Sequence, residues 1–266
     1  MQKSIAGRQR RPVDRKLAQA SLDLRLSATR TDIGALHFED AALAVMRRDG
    51  VLRLELDEAK AYGGSLKVAL RIENDIRPPR AMVTAAAKGI DLAAFCADAA
   101  CLRQVAGLAN IDLSANAAIG SVAEAVRHLD AAMTIDVGAG SFQGPDFEQI
   151  LRRLEKRSFA LATDQRQGRT AFDRAGATVK VYDGIALIEN GLVAGPATRL
   201  QFGGTANLAR QTLSVSGTAA QTGPGGKARD DGPQLDFTMT GPWNGLAFKA
   251  DAAKLLRQLG ETSPRP

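Results

Sequence analysis

Between residues 170 and 241 the chain runs in short segments that alternate apolar with polar residues, each closed by Gly, Asn or Asp: Thr170 to Gly184, Ile185 to Gly195, Thr198 to Leu208, Leu213 to Ala219 and Leu235 to Gly241. A strand sends successive side chains to opposite faces, so this alternation builds one apolar face and one polar face. The segments follow one another without a helical period, which predicts a long antiparallel meander rather than crossovers between parallel strands.

The same period recurs near the N-terminus. Leu22, Leu24 and Leu26 alternate with Asp23, Arg25 and Ser27, and a second run goes from Leu36 to Met46. Asp49-Gly50 supplies the positive φ of a tight hairpin. Leu52, Leu54 and Leu56 then alternate up to the turn at Ala61-Tyr62-Gly63-Gly64, and Leu66, Val68, Leu70 and Ile72 alternate after it. Pro78 and Pro79 interrupt the ladder, because proline cannot donate to it, and Met82 to Ala87, Ile111 to Ile119 and Met133 to Val137 read as further strands.

Three segments carry a helical period instead. Asp91 caps one running to about Leu102, and Ser121 with Glu124 makes a capping box for one through Leu129. Pro145-Asp146-Phe147-Glu148 opens a third, with Phe147, Ile150, Leu151 and Leu154 on one face and Arg152, Arg153 and Lys156 opposite. A fourth helix is expected at 251–259 and polar loops at 158–169 and 221–232. The fold class expected is mainly β with a few short helices (α+β), an antiparallel sheet whose helices cap part of its apolar face. Residues 1–20 are read as a basic tail or linker, 21–260 as one β domain and 261–266 as a tail.

Composition narrows the function. Hydrophobic residues make up 45% of the chain but aromatics only 5%, so the core is built from small and aliphatic side chains and suits a curved sheet with a partly open face. The net charge of +6 is concentrated at the start: residues 1–16 carry +5, while the rest holds 29 basic against 28 acidic residues. A nucleic-acid binder needs a basic stripe on its folded surface, so no nucleic-acid partner is expected. Cys96 and Cys101, read as lying on one straight helix, would point about 140° apart, which opposes pairing; they are read as two small buried hydrophobes. His37 and His128 show no ligand spacing, so no metal and no cofactor is expected. No run reaches the roughly 18 apolar residues of a membrane-spanning helix, and no apolar stretch follows the basic start to make a secretory signal.

No catalytic group is predicted either. Gly223-Pro224-Gly225-Gly226-Lys227 lacks the spacer and the Ser/Thr of a phosphate loop and lies between β runs. Asp57 with Glu58, and Asp230 with Asp231, are adjacent and would point to opposite faces of a strand. Trp243, the sole tryptophan, follows Gly-Pro after the last strand and reads as a plug for the end of the sheet, or alternatively as a contact for a membrane or partner. The chain is therefore expected not to be an enzyme, and its function to lie in the sheet surface.

Several stretches, in order, carry a resemblance. They are Leu52 to Leu56 through Ala61-Tyr62-Gly63-Gly64-Ser65-Leu66, Lys88-Gly89-Ile90-Asp91-Leu92, Gly120 to Val126 and Gly140-Ser141-Phe142-Gln143-Gly144-Pro145-Asp146-Phe147. Thr170-Ala171-Phe172, Asn190-Gly191, Phe237 to Trp243 and Asp251 complete the series. Over roughly residues 20–260 the chain resembles the C-terminal region of the AsmA family of bacterial envelope proteins. The resemblance implies a large curved β-sheet lining a hydrophobic groove on the periplasmic side of the inner membrane. It also implies an N-terminal membrane anchor, which this chain is expected to receive as part of a longer protein. The implied role is moving phospholipid between envelope membranes, or supporting outer-membrane assembly.

An uncovered apolar face also invites such an occupant without the family, since acyl chains gain about 0.8 kcal/mol per buried methylene with no directional contact. Leu52, Leu54, Leu56, Val68 and Leu70 are the expected groove residues. The alternative expectation is a structural module that binds another envelope protein through a sheet edge.

Overall fold

The computed structural model describes residues 21–99, 101, 104–156, 168–223, 227–229 and 232–251. The basic tail at 1–20, most of the 158–169 loop, the expected helix at 251–259 and the last residues lie outside them.

Among the described residues fourteen strands form a single sheet. In chain order they are β1 (Leu22–Ile33), β2 (Leu36–Arg48), β3 (Val51–Ala61), β4 (Gly64–Glu73), β5 (Arg80–Asp91), β6 (Val105–Ala118), β7 (Asp130–Gly144), β8 (Gly168–Phe172), β9 (Arg174–Tyr182), β10 (Ile185–Ala194), β11 (Thr198–Asn207), β12 (Thr212–Gln221), β13 (Gln234–Pro242) and β14 (Ala247–Ala250). Neighbours in sequence are neighbours in space, except that β8 pairs only with the end of β7 and leaves β9 to continue the path. Every pairing is antiparallel, so the expected meander is the fold, as one open curled sheet.

The local signals act where the sequence placed them. Asp49 and Gly50 both take positive φ, 49° and 76°, the geometry of the tight turn whose twist matches the flanking strands. β4 stops at Glu73 and β5 starts at Arg80, either side of the two prolines. Strand limits are less well signalled. β6 and β7 extend well beyond Ile111–Ile119 and Met133–Val137, and the run from Thr170 to Gly184 is split at Asp173 into β8 and β9.

Helix α1 (Leu92–Asp98) is capped by Asp91, whose carboxylate accepts from the Ala93 and Ala94 N–H groups at 2.9 and 3.2 Å. Helix α2 (Val122–Arg127) has the full capping box: Glu124 accepts from the Ser121 N–H at 2.8 Å, and this bond holds its carboxyl below the ordinary value. Helix α3 (Phe147–Glu155) starts at Asp146, which accepts from Gln149 N–H at 2.9 Å. The buried Thr170 hydroxyl secures that start by donating to the Pro145 carbonyl at 2.8 Å and accepting from Phe147 N–H at 3.2 Å.

The cysteine expectation is overturned. Cys96 and Cys101 form a disulfide, with Cα atoms 4.7 Å apart. The angular argument assumed a helix through both residues, but α1 ends at Asp98 with Ala99 as its cap, so Cys101 lies on chain that has already turned. In the chain-entropy picture a loop this short is worth about 2 kcal/mol. The Cys96→Ser/Cys101→Ser variant is therefore expected to lose stability of that order in a urea melt, and no loss would show that the bond constrains nothing.

Helices α1 and α3 cover parts of one face, and Leu129 after α2 covers another part. The α3 residues Phe147, Ile150, Leu151 and Leu154 are buried against Leu200, Ala219, Leu235 and Phe237. Phe38, Ala41, Ala59, Ala61 and Ile90 form a second cluster, with Phe95 of α1 and Leu56 packed on it. Leu92 of α1 joins Ala109, Val137, Phe172 and Ala175 in a third. Leu129, after α2, covers Val181, Ala186 and Ala206 in a fourth.

Candidate functional site

The ladder registers fix which side chains share a face, because residues directly opposite across two strands point the same way. One row follows from them without a break: Leu26, Leu43, Leu56, Val68, Ala85, Leu113, Met133, Val179, Ile188, Gly204, Val215, Met239 and Phe248, one residue from each strand of the path. No member is polar. At about 4.8 Å between strands, twelve steps span roughly 58 Å. The adjacent row, through Leu24, Val45, Leu54, Leu70, Val83, Ala115, Ala131 and Val181, is equally apolar. The apolar face is thus a track running across the strands from one edge of the sheet to the other.

The five expected groove residues all lie on this face. Leu54 stands opposite Leu70, Leu56 opposite Val68, and Leu52 opposite Ile72. All five are half-buried, but their surroundings differ. Leu56 packs against the Phe38 and Ile90 cluster beneath α1, whereas Leu52, Leu54, Val68 and Leu70 belong to none of the four described clusters. The helices divide the face. α1 and α3 follow β5 and β7 at one end of the strands, and the stretch of β3 and β4 nearer the Asp49-Gly50 turn carries Leu52, Leu54 and Leu70 away from them.

The opposite face is polar. One hollow on it, about 550 Å³, crosses β3 to β9 and is bordered by Glu55, Asp57, Lys67, Thr84, Asp112, Ser114, Thr134, Thr178 and Lys180. Lys67 pairs with Glu58 at 3.0 Å and Lys180 with Glu189 at 2.9 Å; the bond to Glu189 holds the Lys180 ammonium above its ordinary pKa. Of the adjacent acidic residues that the sequence singled out, Asp57 and Glu58 do not converge there: Asp57 borders the hollow while Glu58, at positive φ, pairs with Lys67; Asp230 and Asp231 lie outside the described residues. Among the described residues no group of three or more His, Cys, Asp or Glu side chains could hold a metal, and no helix is long and apolar enough to cross a membrane.

Two contacts tie α1 and the turn after β13 to distant parts of the sheet. The Tyr62 hydroxyl donates to Asp98 of α1 at 3.0 Å, and its ring meets Phe95 edge-on at 5.5 Å; burial raises the phenol above its ordinary pKa. The Gln104 side-chain amide donates to the Trp243 carbonyl at 3.1 Å, joining positions 139 residues apart. Trp243 is half-buried there, beside the turn that follows β13. Its partner Gln104 carries no sequence signal, since a single amide before a strand resembles any other.

A family model matches residues 7–190, under the description "AsmA family". No curated protein and no solved structure matches.

Proposed function

Since the chain belongs to the envelope-associated AsmA family, we propose that its apolar track binds phospholipid acyl chains and conducts them along the sheet, in support of outer-membrane biogenesis. One observation carries this reading: the unbroken apolar row across thirteen strands, which the helices cover only in part. Acyl chains suit it because methylenes gain about 0.8 kcal/mol each on burial and ask for no fixed partner. The work proposed needs no catalytic group, and we read the chain as non-enzymatic.

The site of action proposed is the periplasmic side of the inner membrane. The Cys96–Cys101 disulfide supports it, because such bonds persist in the periplasm and are rare in the reducing cytosol.

The test is lipid extraction and mass spectrometry on the chain expressed in a Gram-negative periplasm and purified gently. Stoichiometric phospholipid is the expected result. A folded, monodisperse preparation without lipid would overturn the carrier reading. It would leave the second one, a structural module that binds another envelope protein, which the twelve-residue β1, paired with no described strand other than β2, favours.

A further inference from the structure

The two edges of the sheet are unlike. β14 is four residues long, whereas β1 has twelve and pairs with no described strand other than β2. An open edge of that length offers a row of unpaired N–H and C=O groups to another strand. The apolar face also runs off this edge: Leu22, Leu24 and Leu26 are 47%, 41% and 50% exposed, while Leu52, Leu54 and Leu56 on β3 are half-buried. Among the described residues these leucines have no neighbour on their outer side.

The sequence of the edge is self-complementary. Leu22-Asp23-Leu24-Arg25-Leu26 has the same polarity in both directions and opposite charge about its centre. Two such strands paired antiparallel about Leu24 set Leu24 against Leu24, Leu22 against Leu26, and Asp23 against Arg25 twice. Opposed residues share a face, so the leucines meet on the apolar side and both ion pairs on the polar side. Sliding by two residues sets Asp23 against Asp23 or Arg25 against Arg25, and sliding by one turns the apolar face of one copy to the polar side of the other. Among the described residues neither Asp23 nor Arg25 has an ion-pair partner.

We propose that β1 pairs with β1 of a second copy of this chain in the register centred on Leu24. The contact is isologous and closes as a dimer. Its two-fold axis stands perpendicular to the sheet, so the apolar tracks of the two copies continue on the same side. The pairing rests on the edge alone and does not depend on what the track carries.

Sedimentation velocity of the full chain over a dilution series tests it. The expected mass doubles with concentration. Arg25→Asp, which sets Asp23 against an aspartate, is expected to return it to the monomer value. Asp23→Arg/Arg25→Asp, which restores opposite charges in this register, is expected to recover the dimer. A monomer at every concentration would overturn the proposal, as would a dimer indifferent to Arg25→Asp. So would a charge-swapped double variant that stays monomeric while folded by circular dichroism; that result would leave the edge to another strand.

Discussion

Leu54→Arg is expected to strip the purified chain of phospholipid while leaving it folded. Leu54 lies between Val45 and Leu70 in an apolar row and is half-buried, so a guanidinium there faces the groups an acyl chain would touch. Holding a charge against hydrocarbon costs several times what one methylene contributes. The fold survives because no described cluster depends on Leu54, and a long side chain can carry its charge out to water. Thr84→Arg, on the polar face beside the 550 Å³ hollow, is the matched control and is expected to keep its lipid. Leu56→Arg separates groove from core: Leu56 packs on the Phe38 cluster, so this variant is expected to lose stability by a few kcal/mol. Full lipid retention in a folded Leu54→Arg protein would show that the track does not run through β3 and β4.

Phe147→Ala is expected to cost about 3–5 kcal/mol, the range for truncating a buried phenylalanine. The side chain is 2% exposed, its ring centroid lies 5.0 Å from that of Phe237 and 5.5 Å from that of Phe248, and it opens the helix that covers the β11 to β14 end of the face. Its neighbours Leu200, Ala219, Leu235 and Phe237 are themselves buried on the sheet, so they can fill the space left only in part. At roughly 2–4 °C per kcal/mol for a chain of this size, the melting temperature is expected to fall by about 6–20 °C. A change below about 1 kcal/mol would show that α3 does not clamp this end of the sheet.

Much of this architecture was legible residue by residue. Leu52, Leu54 and Leu56 announce a strand with one apolar face because the period of two is a property of the extended backbone. Asp49-Gly50 announces a hairpin because both residues tolerate positive φ. Asp91, Ser121 with Glu124, and Asp146 announce helix starts because their side chains satisfy N–H groups that the helix leaves unpaired. Each of these depends on neighbours within a few positions. The limits of β6 and β7, the break at Asp173 and the Cys96–Cys101 bond do not. β8 is held by the end of β7, and the disulfide by a turn that follows a helix shorter than its apolar period suggested.

The sequence by itself determined that the chain is a meander with one apolar face, and that Leu52, Leu54, Leu56, Val68 and Leu70 lie on it, because alternation and turn chemistry are local. Only the tertiary structure decided which of them is core and which is open track. Leu54 and Leu56 are the same residue in the same pattern, two positions apart. One lies within reach of the cluster beneath α1 and the other does not, and that difference is set by where a helix thirty-odd residues later in the chain comes to rest.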